Sequence, residues 1–229
     1  RVLVTGCNGM LGTDVAKVFK SRHEVVGVDI KDFDITDSER VYSAIGEIKP
    51  EVVIHTAAYT DVDSCESNVE TAFRVNSLGA RNVASACSAV NASMVYISTD
   101  YVFDGKKESP YFEYDTLNPL NVYGRTKLEG EIFVRQLCGN SYIVRTTWLF
   151  GENGKNFVKT MLKLSKEKDV ISVVNDQVGS PTYTLDLAQS LLELVSKPAF
   201  GTYHITNDEF CSWYDFTRMI FEIANIKNV

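Results

Sequence analysis

The run Val2-Leu3-Val4-Thr5 leads without a spacer into Gly6-Cys7-Asn8-Gly9-Met10-Leu11-Gly12, and helical character begins at Met10. A strand that turns on three glycines straight into a helix has few folds open to it. One glycine lets the chain reverse sharply, another lets backbone approach a pyrophosphate with no side chain between, and the third lets helix and strand pack closely. The helix N-terminus then offers free N–H groups and a partial positive charge to phosphates. The first gap is one residue longer than in the GxGxxG fingerprint, so the loop alone is a weak signal. Its place at the start of a βαβ unit strengthens it, as does Asp29 at the end of the next strand.

Asp29 can accept hydrogen bonds from an adenosine ribose 2′-OH and would repel a 2′-phosphate, which favours NADH, while nearby Lys31 softens that repulsion and leaves NADPH usable. The alternative for Asp29 is a solvated strand end. Gly6, Gly9, Met10, Leu11 and Gly12 form the expected phosphate turn. Asp34-Ile35 and Ala57-Ala58, with neighbouring Tyr59, are expected beside the adenine and the backbone of the cofactor.

Strand, turn and helix then recur. Expected are a helix from Met10 to Lys20, a strand His23 to Asp29, a capping box Thr36-Asp37-Ser38-Glu39, and a strand from Val52 after Pro50. A long helix over about 68–90 precedes the strand Met94 to Ser98, a helix near Tyr123 to Leu137, and the strand Tyr142 to Thr147. This alternation predicts a Rossmann-type α/β fold, a doubly wound parallel sheet covered by helices on both faces, over residues 1–150. From Gly151 the pattern loosens into a helix Phe157 to Lys168, a strand Val170 to Val174, a turn-rich segment and a helix Leu185 to Val195. Residues 151–229 are therefore expected to form a smaller substrate-binding lobe, with a capped helix starting at Ser212.

Composition excludes other classes. The net charge is −7, and the longest basic cluster is Lys106-Lys107, so no surface tracks a nucleic-acid backbone. No apolar run approaches the roughly 20 residues of a membrane helix, and no basic leader precedes Val2, which predicts a cytoplasmic protein. The five cysteines, never paired as CxxC, suggest free thiols rather than disulfides or zinc.

Tyr123-Gly124-Arg125-Thr126-Lys127 sets a phenol and an ammonium four residues apart, on one helical face. The pair occurs often by chance on solvated helices. What raises it is the strand before it, which delivers Ile97-Ser98-Thr99-Asp100 to the C-terminal sheet edge, where open α/β sheets bind ligands. Reducing a ketone requires a hydride and a proton for the developing oxyanion. Tyr123 suits the proton donor. Lys127 is expected to draw its pKa down from about 10 towards neutrality and to bond the nicotinamide ribose, while Thr99 polarises the carbonyl.

Three blocks carry a resemblance: residues 98–105 (STDYVFDG), 119–127 (PLNVYGRTK) and 175–182 (NDQVGSPT). In this order behind the glycine loop they resemble the dTDP-4-dehydrorhamnose reductase family, within the extended short-chain dehydrogenases. The resemblance runs over nearly the whole chain. It implies reduction of the C4 ketone of dTDP-4-dehydro-6-deoxy-L-lyxo-hexose to dTDP-L-rhamnose, with Tyr123 as proton donor, Lys127 its partner and Thr99 tuning both. It also implies sugar-nucleotide contacts from Thr99, Asp100 and Trp148, and a nucleotide pocket using Asn175 and Gln177. Trp148 offers a flat apolar wall and an N–H, with core packing as its alternative.

Members usually continue past a helix like Ser212 to Ala224, which implies a chain truncated at its C-terminus. Some are Mg-dependent homodimers through later acidic residues; this segment does not supply those, and metal and dimer stay open. Two rivals share the early motifs. A dehydratase carries Asp-Glu after the Thr, whereas here Tyr101 follows Asp100; an epimerase retains its cofactor. A non-catalytic NAD(P)-binding regulatory subunit would not need Trp148 and the block from Asn175 beside an intact Thr, Tyr and Lys.

Overall fold

The computed structural model describes residues 1–227. Along the chain run β1 (Val2–Thr5), α1 (Met10–Phe19), β2 (Val25–Val28), α2 (Ser38–Ile48), β3 (Val52–His55), α3 (Val62–Ser67) and α4 (Val69–Ala72). A π-helical stretch, Phe73–Gly79, leads into α5 (Ala80–Ala89) and β4 (Ser93–Thr99). After a 3₁₀ turn, Asp100–Val102, come α6 (Val122–Leu137), β5 (Ser141–Thr146), β6 (Leu149–Phe150), α7 (Phe157–Glu167), β7 (Val178–Gly179) and β8 (Thr182–Tyr183). The chain continues through α8 (Thr184–Leu194), β9 (Gly201–His204), β10 (Cys211–Ser212) and α9 (Trp213–Ile223).

The central sheet has six strands in the order β2-β1-β3-β4-β5-β9, all paired in parallel. This is the doubly wound α/β fold that the alternation predicts. Side chains alternate between two cores, as a pleated strand dictates. Leu3, Val53, Met94, Tyr96 and Ile143 pack against Val41 and Ile45 of α2, Val83 of α5 and Val134 of α6. Val2, Val4, Ile54, Val95 and Val144 pack against Val15 and Phe19 of α1 and Leu187 and Leu191 of α8.

The structure differs from the sequence reading at four places. The cap of α2 is Asp37, whose side chain accepts from Arg40 N, rather than a box between Thr36 and Glu39. The long helix expected over residues 68–90 is present without a break over 69–89, but its middle, Phe73–Gly79, is π-helical. Residues 170–174 form no strand: Val170 is 78% exposed, and a short apolar run without a neighbouring strand to satisfy its backbone cannot make a sheet. The sixth strand, β9, lies beyond Gly151, and α8 packs on α1. The residue-150 boundary is thus crossed by two elements that complete the sheet. What is left of the later segment is α7, α9 and the short strands β7, β8 and β10, of which β7 pairs with β10 and β8 pairs with β6 at the end of the earlier segment.

Candidate active site

The glycine loop closes a cavity of about 410 Å³ at the carboxyl ends of β1 to β3. Gly6 has φ of +69°, and a Cβ there would meet the Ala57 backbone at 2.8 Å; a Cβ on Gly12 would meet Gly6 O at 2.1 Å. These two positions hold the turn against its neighbours. Gly9 is roomier, its nearest atom 3.1 Å from a notional Cβ, and serves as the N-cap residue of α1. No side chain caps that helix and its first turn carries no acid, so its leading N–H groups face the loop free for an anion.

Gly6, Gly9, Asp29, Asp34, Ile35, Ala57 and Ala58 line this cavity, together with Asn8, Phe33 and Thr56, which the sequence reading passed over. Asp29 is oriented by backbone N–H groups, accepting from Asn8 at 3.0 Å and from Ile30 at 2.8 Å. Asp34 accepts from Thr36 N at 2.8 Å and shapes the turn before α2. Met10 opens α1, and Leu11 is buried in the core, so at that position only backbone can serve a ligand. Tyr59 lies outside the cavity lining, its backbone N–H and carbonyl both held by Asn76 of the π-helical stretch at 2.8 and 3.0 Å. Asn76 also reaches Thr126 Oγ1 at 3.2 Å, tying this wall to α6. Its signal in the sequence is faint, because an Asn in a helical run reads as surface.

Asn121 caps α6 through Gly124 N at 2.7 Å and starts the helix one residue before Tyr123. Lys127, 3% exposed, donates to the carbonyl of Ile97 at 2.6 Å, and its Nζ lies 4.1 Å from the centre of the Tyr96 ring. Burial pushes this ammonium down to about 7, against an upward pull from Glu131. The sequence reading expects Lys127 to lower the Tyr123 pKa; the structure has it raised. Burial contributes most and the Asp100 charge adds to it, with the Thr99 hydroxyl opposing both. Tyr123 is therefore a neutral phenol in the free protein. That is the protonation state a proton donor needs.

Thr99 Oγ1 donates to Asp100 Oδ1 at 2.9 Å and accepts from Tyr101 N at 3.2 Å. Asp100 also accepts from Thr147 Oγ1 at 2.8 Å, and desolvation within the cleft raises its pKa. Thr146, paired in register with Thr99 and 6% exposed, has a hydroxyl with no hydrogen-bond partner among the described residues. A buried hydroxyl beside Thr99 without a protein partner fits a ligand that brings its own polar atoms.

Trp148 follows at φ of +49° and stacks on Trp213 of α9 with ring centres 3.5 Å apart. A Cβ on Gly179 would fall 2.6 Å from the Trp148 indole, so the turn of residues 175–182 sits directly against this ring. Asn175 Oδ1 accepts from Ser212 Oγ at 2.7 Å and thus braces the start of α9, while Gln177 is exposed. Trp148 adjoins Thr147, which donates to Asp100, whereas Asn175 reaches Ser212 and not the Thr99–Asp100 turn.

Beneath these loops Asp14 of α1 accepts from Thr184 Oγ1 of α8 at 2.5 Å, both side chains buried. Gly154 packs on Met10, and Asn156 Nδ2 points to Met10 Sδ at 3.7 Å. The segment after Gly151 is thereby anchored to the helix that starts at the glycine loop. Among the described residues no group of three or more His, Cys, Asp or Glu side chains could hold a metal, and no helix is long and apolar enough to cross a membrane.

A glycine cradle beside β1 and a Thr, Tyr and Lys set at the edge of β4 define a nicotinamide-dependent oxidoreductase of the extended short-chain dehydrogenase type. The family described as RmlD substrate binding domain matches residues 1–229. A dTDP-4-dehydrorhamnose reductase of Aggregatibacter actinomycetemcomitans is 44% identical over 100% of this chain and 81% of its own length. A dTDP-4-keto-6-deoxy-D-glucose reductase of Streptomyces niveus is 40% identical over 97% and 78%. The crystal structure of dTDP-4-dehydrorhamnose reductase from Bacillus anthracis in complex with NADP superposes with a TM-score of 0.97 at 46% identity, covering 99% of this chain and 82% of that one. The chain belongs to the dTDP-4-dehydrorhamnose reductase family.

Proposed function

We propose that the protein reduces the C4 ketone of dTDP-4-dehydro-6-deoxy-L-lyxo-hexose to give dTDP-L-rhamnose. The observation that carries this is the convergence of Thr99, Tyr123 and Lys127 at the sheet edge, between the glycine cradle and Trp148. A reduced nicotinamide, bound along the glycine loop, supplies the hydride. Gly6, Gly9 and Gly12 admit its pyrophosphate to the N-terminus of α1, and Asp29 stands where the adenosine ribose would lie. Asp29 favours NADH, Lys31 lets NADPH be used as well, and a relative's complex with NADP supports the second.

Tyr123 donates its phenolic proton to the oxyanion as it forms, a contribution of roughly 10²–10⁴-fold in rate. Lys127 sits four residues on and, when charged, stabilises the phenolate left behind. Thr99 turns its hydroxyl from Asp100 to the carbonyl oxygen and polarises it. Asp100 and Trp148 then hold the sugar, and the 175–182 turn backs the indole. Residues 1–150 would supply the cofactor and the chemistry, and the loops after Gly151 would select the nucleotide.

A second substrate is favoured by one observation: a relative of nearly the same identity acts, by its name, on a dTDP-4-keto-6-deoxy-D-glucose. Both ketones are therefore offered to the full-length protein with NADH and with NADPH, and loss of absorbance of the reduced cofactor is followed. Oxidation with the L-lyxo ketone preferred is the expected outcome. Preference for the D-gluco ketone would overturn the substrate assignment, and no oxidation with either would overturn the reductase reading.

A further inference from the structure

Tyr123, Lys127 and Glu131 follow one another at four-residue spacing on α6, so their side chains share one face. Glu131 is 0% exposed. Its Oε1 accepts from Ser98 Oγ at 2.6 Å and from Arg145 Nε at 2.9 Å; its Oε2 accepts from Arg145 at 2.8 Å and Arg135 at 2.7 Å. A buried ion pair of this kind adds little net stability over apolar residues of the same volume, because both ions lose their hydration. Its location is what distinguishes it. Ser98 stands between Ile97, whose carbonyl takes the Lys127 ammonium, and Thr99 in the cleft.

We propose that Glu131 is a positioning residue of the reaction: clamped by Ser98 and Arg145, it holds the Tyr123–Lys127 face of α6 in register with the end of β4, and its carboxylate on that same face helps buried Lys127 keep its proton. This rests on the roles given above to Tyr123 and Lys127.

The groups facing Lys127 support the second half of the statement. Tyr96 on β4 is held neutral by burial, and His55 on β3 is pushed down to about 3 by burial and then by Lys127 itself, so neither adds charge. Tyr123 is neutral for the reason given, and Asp100 lies beyond it at the cleft mouth. Glu131 remains as the charge that favours the protonated form of Lys127. A guanidinium does not release its proton in a protein. Arg145 therefore stays charged against Glu131, and without the Glu131 charge Lys127 loses the pull that opposes its desolvation.

The test follows the Lys127 amine by NMR of isotopically labelled lysine in the full-length, cofactor-free protein, assigned by Lys127→Met, beside the pH profile of kcat/KM. Glu131→Gln is expected to lower the Lys127 midpoint by about one unit, a tenfold loss of proton affinity, and Arg145→Gln to raise it. The alkaline fall of kcat/KM moves with each. Arg135→Gln removes only the partly exposed outer partner and is expected to fold regardless, with a smaller upward shift. A purely structural network would lower kcat without opposite shifts. Midpoints that move together or not at all overturn the proposal; if neither core variant folds, an unmoved midpoint in Arg135→Gln does so. Opposite shifts in the two variants, beside a wild-type protein that reduces neither ketone, would instead overturn the functional reading.

Discussion

The sides of the cleft proposed for the cofactor and for the substrate are built on different principles. Around the glycine loop the cavity is shaped by close backbone approach, with the turn at Gly6, the uncapped start of α1 and the small residues Ala57 and Ala58, and its side chains come from the ends of β1 to β3 and the turns after them. Past β5 it is made of side chains that come from distant parts of the chain, with Trp148 stacked on Trp213, Phe157 against Trp213, and Gly179 under the indole. A backbone site depends on where side chains are missing. A side-chain site depends on the packing of elements that each have little core of their own, so substitution there is structurally cheapest.

Between the two sides stands Tyr123, and its removal should have the largest effect. Tyr123→Phe is expected to cut kcat by roughly 10²–10⁴-fold while fluorescence titration shows cofactor binding unchanged. Retained turnover would mean that the proton comes from elsewhere. Gly12→Ala should break the cofactor side alone, because its Cβ would stand 2.1 Å from Gly6 O. A loss of about 1–3 kcal/mol in thermal or denaturant unfolding is expected, with cofactor affinity falling as well. A fully stable variant with normal affinity would show that the loop can relax.

Trp148→Ala should break the other side, raising KM for the sugar nucleotide about tenfold or more while cofactor affinity holds, as loss of a large aromatic contact implies. Equal effects on both ligands would erase the distinction drawn here. The pH dependence sharpens it further. Lys127 is pushed down to about 7, so its charged form is present below that pH and lost above it; kcat/KM should fall as pH rises through this region. A profile flat to pH 9 would show that ligand binding restores the ammonium. The smallest change expected is in Asp29→Ala, a shift of the NADPH-to-NADH preference towards NADPH in paired kinetic assays. An unchanged ratio would leave Asp29 as a brace for Asn8 N alone.

Much of the cofactor side was legible in the sequence because its signal is local. Three glycines after an apolar run, and Tyr and Lys at helical spacing, each lie within one strand-turn-helix unit, and local spacing survives into the fold. The strand expected over residues 170–174 failed for the opposite reason: a β-branched apolar run reports a local preference, but a strand exists only where another strand pairs with it. β9 was missed because Gly201-Thr202-Tyr203-His204 is short and weakly apolar, and it becomes a strand only against β5.

By itself, then, the sequence determined the doubly wound sheet, the phosphate turn and the pairing of Tyr123 with Lys127, since these follow from periodicity and from what glycine permits over a few residues. Tertiary structure alone decided that Tyr123 is a neutral phenol, that Lys127 lies on the Ile97 carbonyl, and that Glu131, Arg145 and Ser98 stand behind both. Burial and charge at a point in space are sums over neighbours from several strands and helices, and no spacing within one element records them.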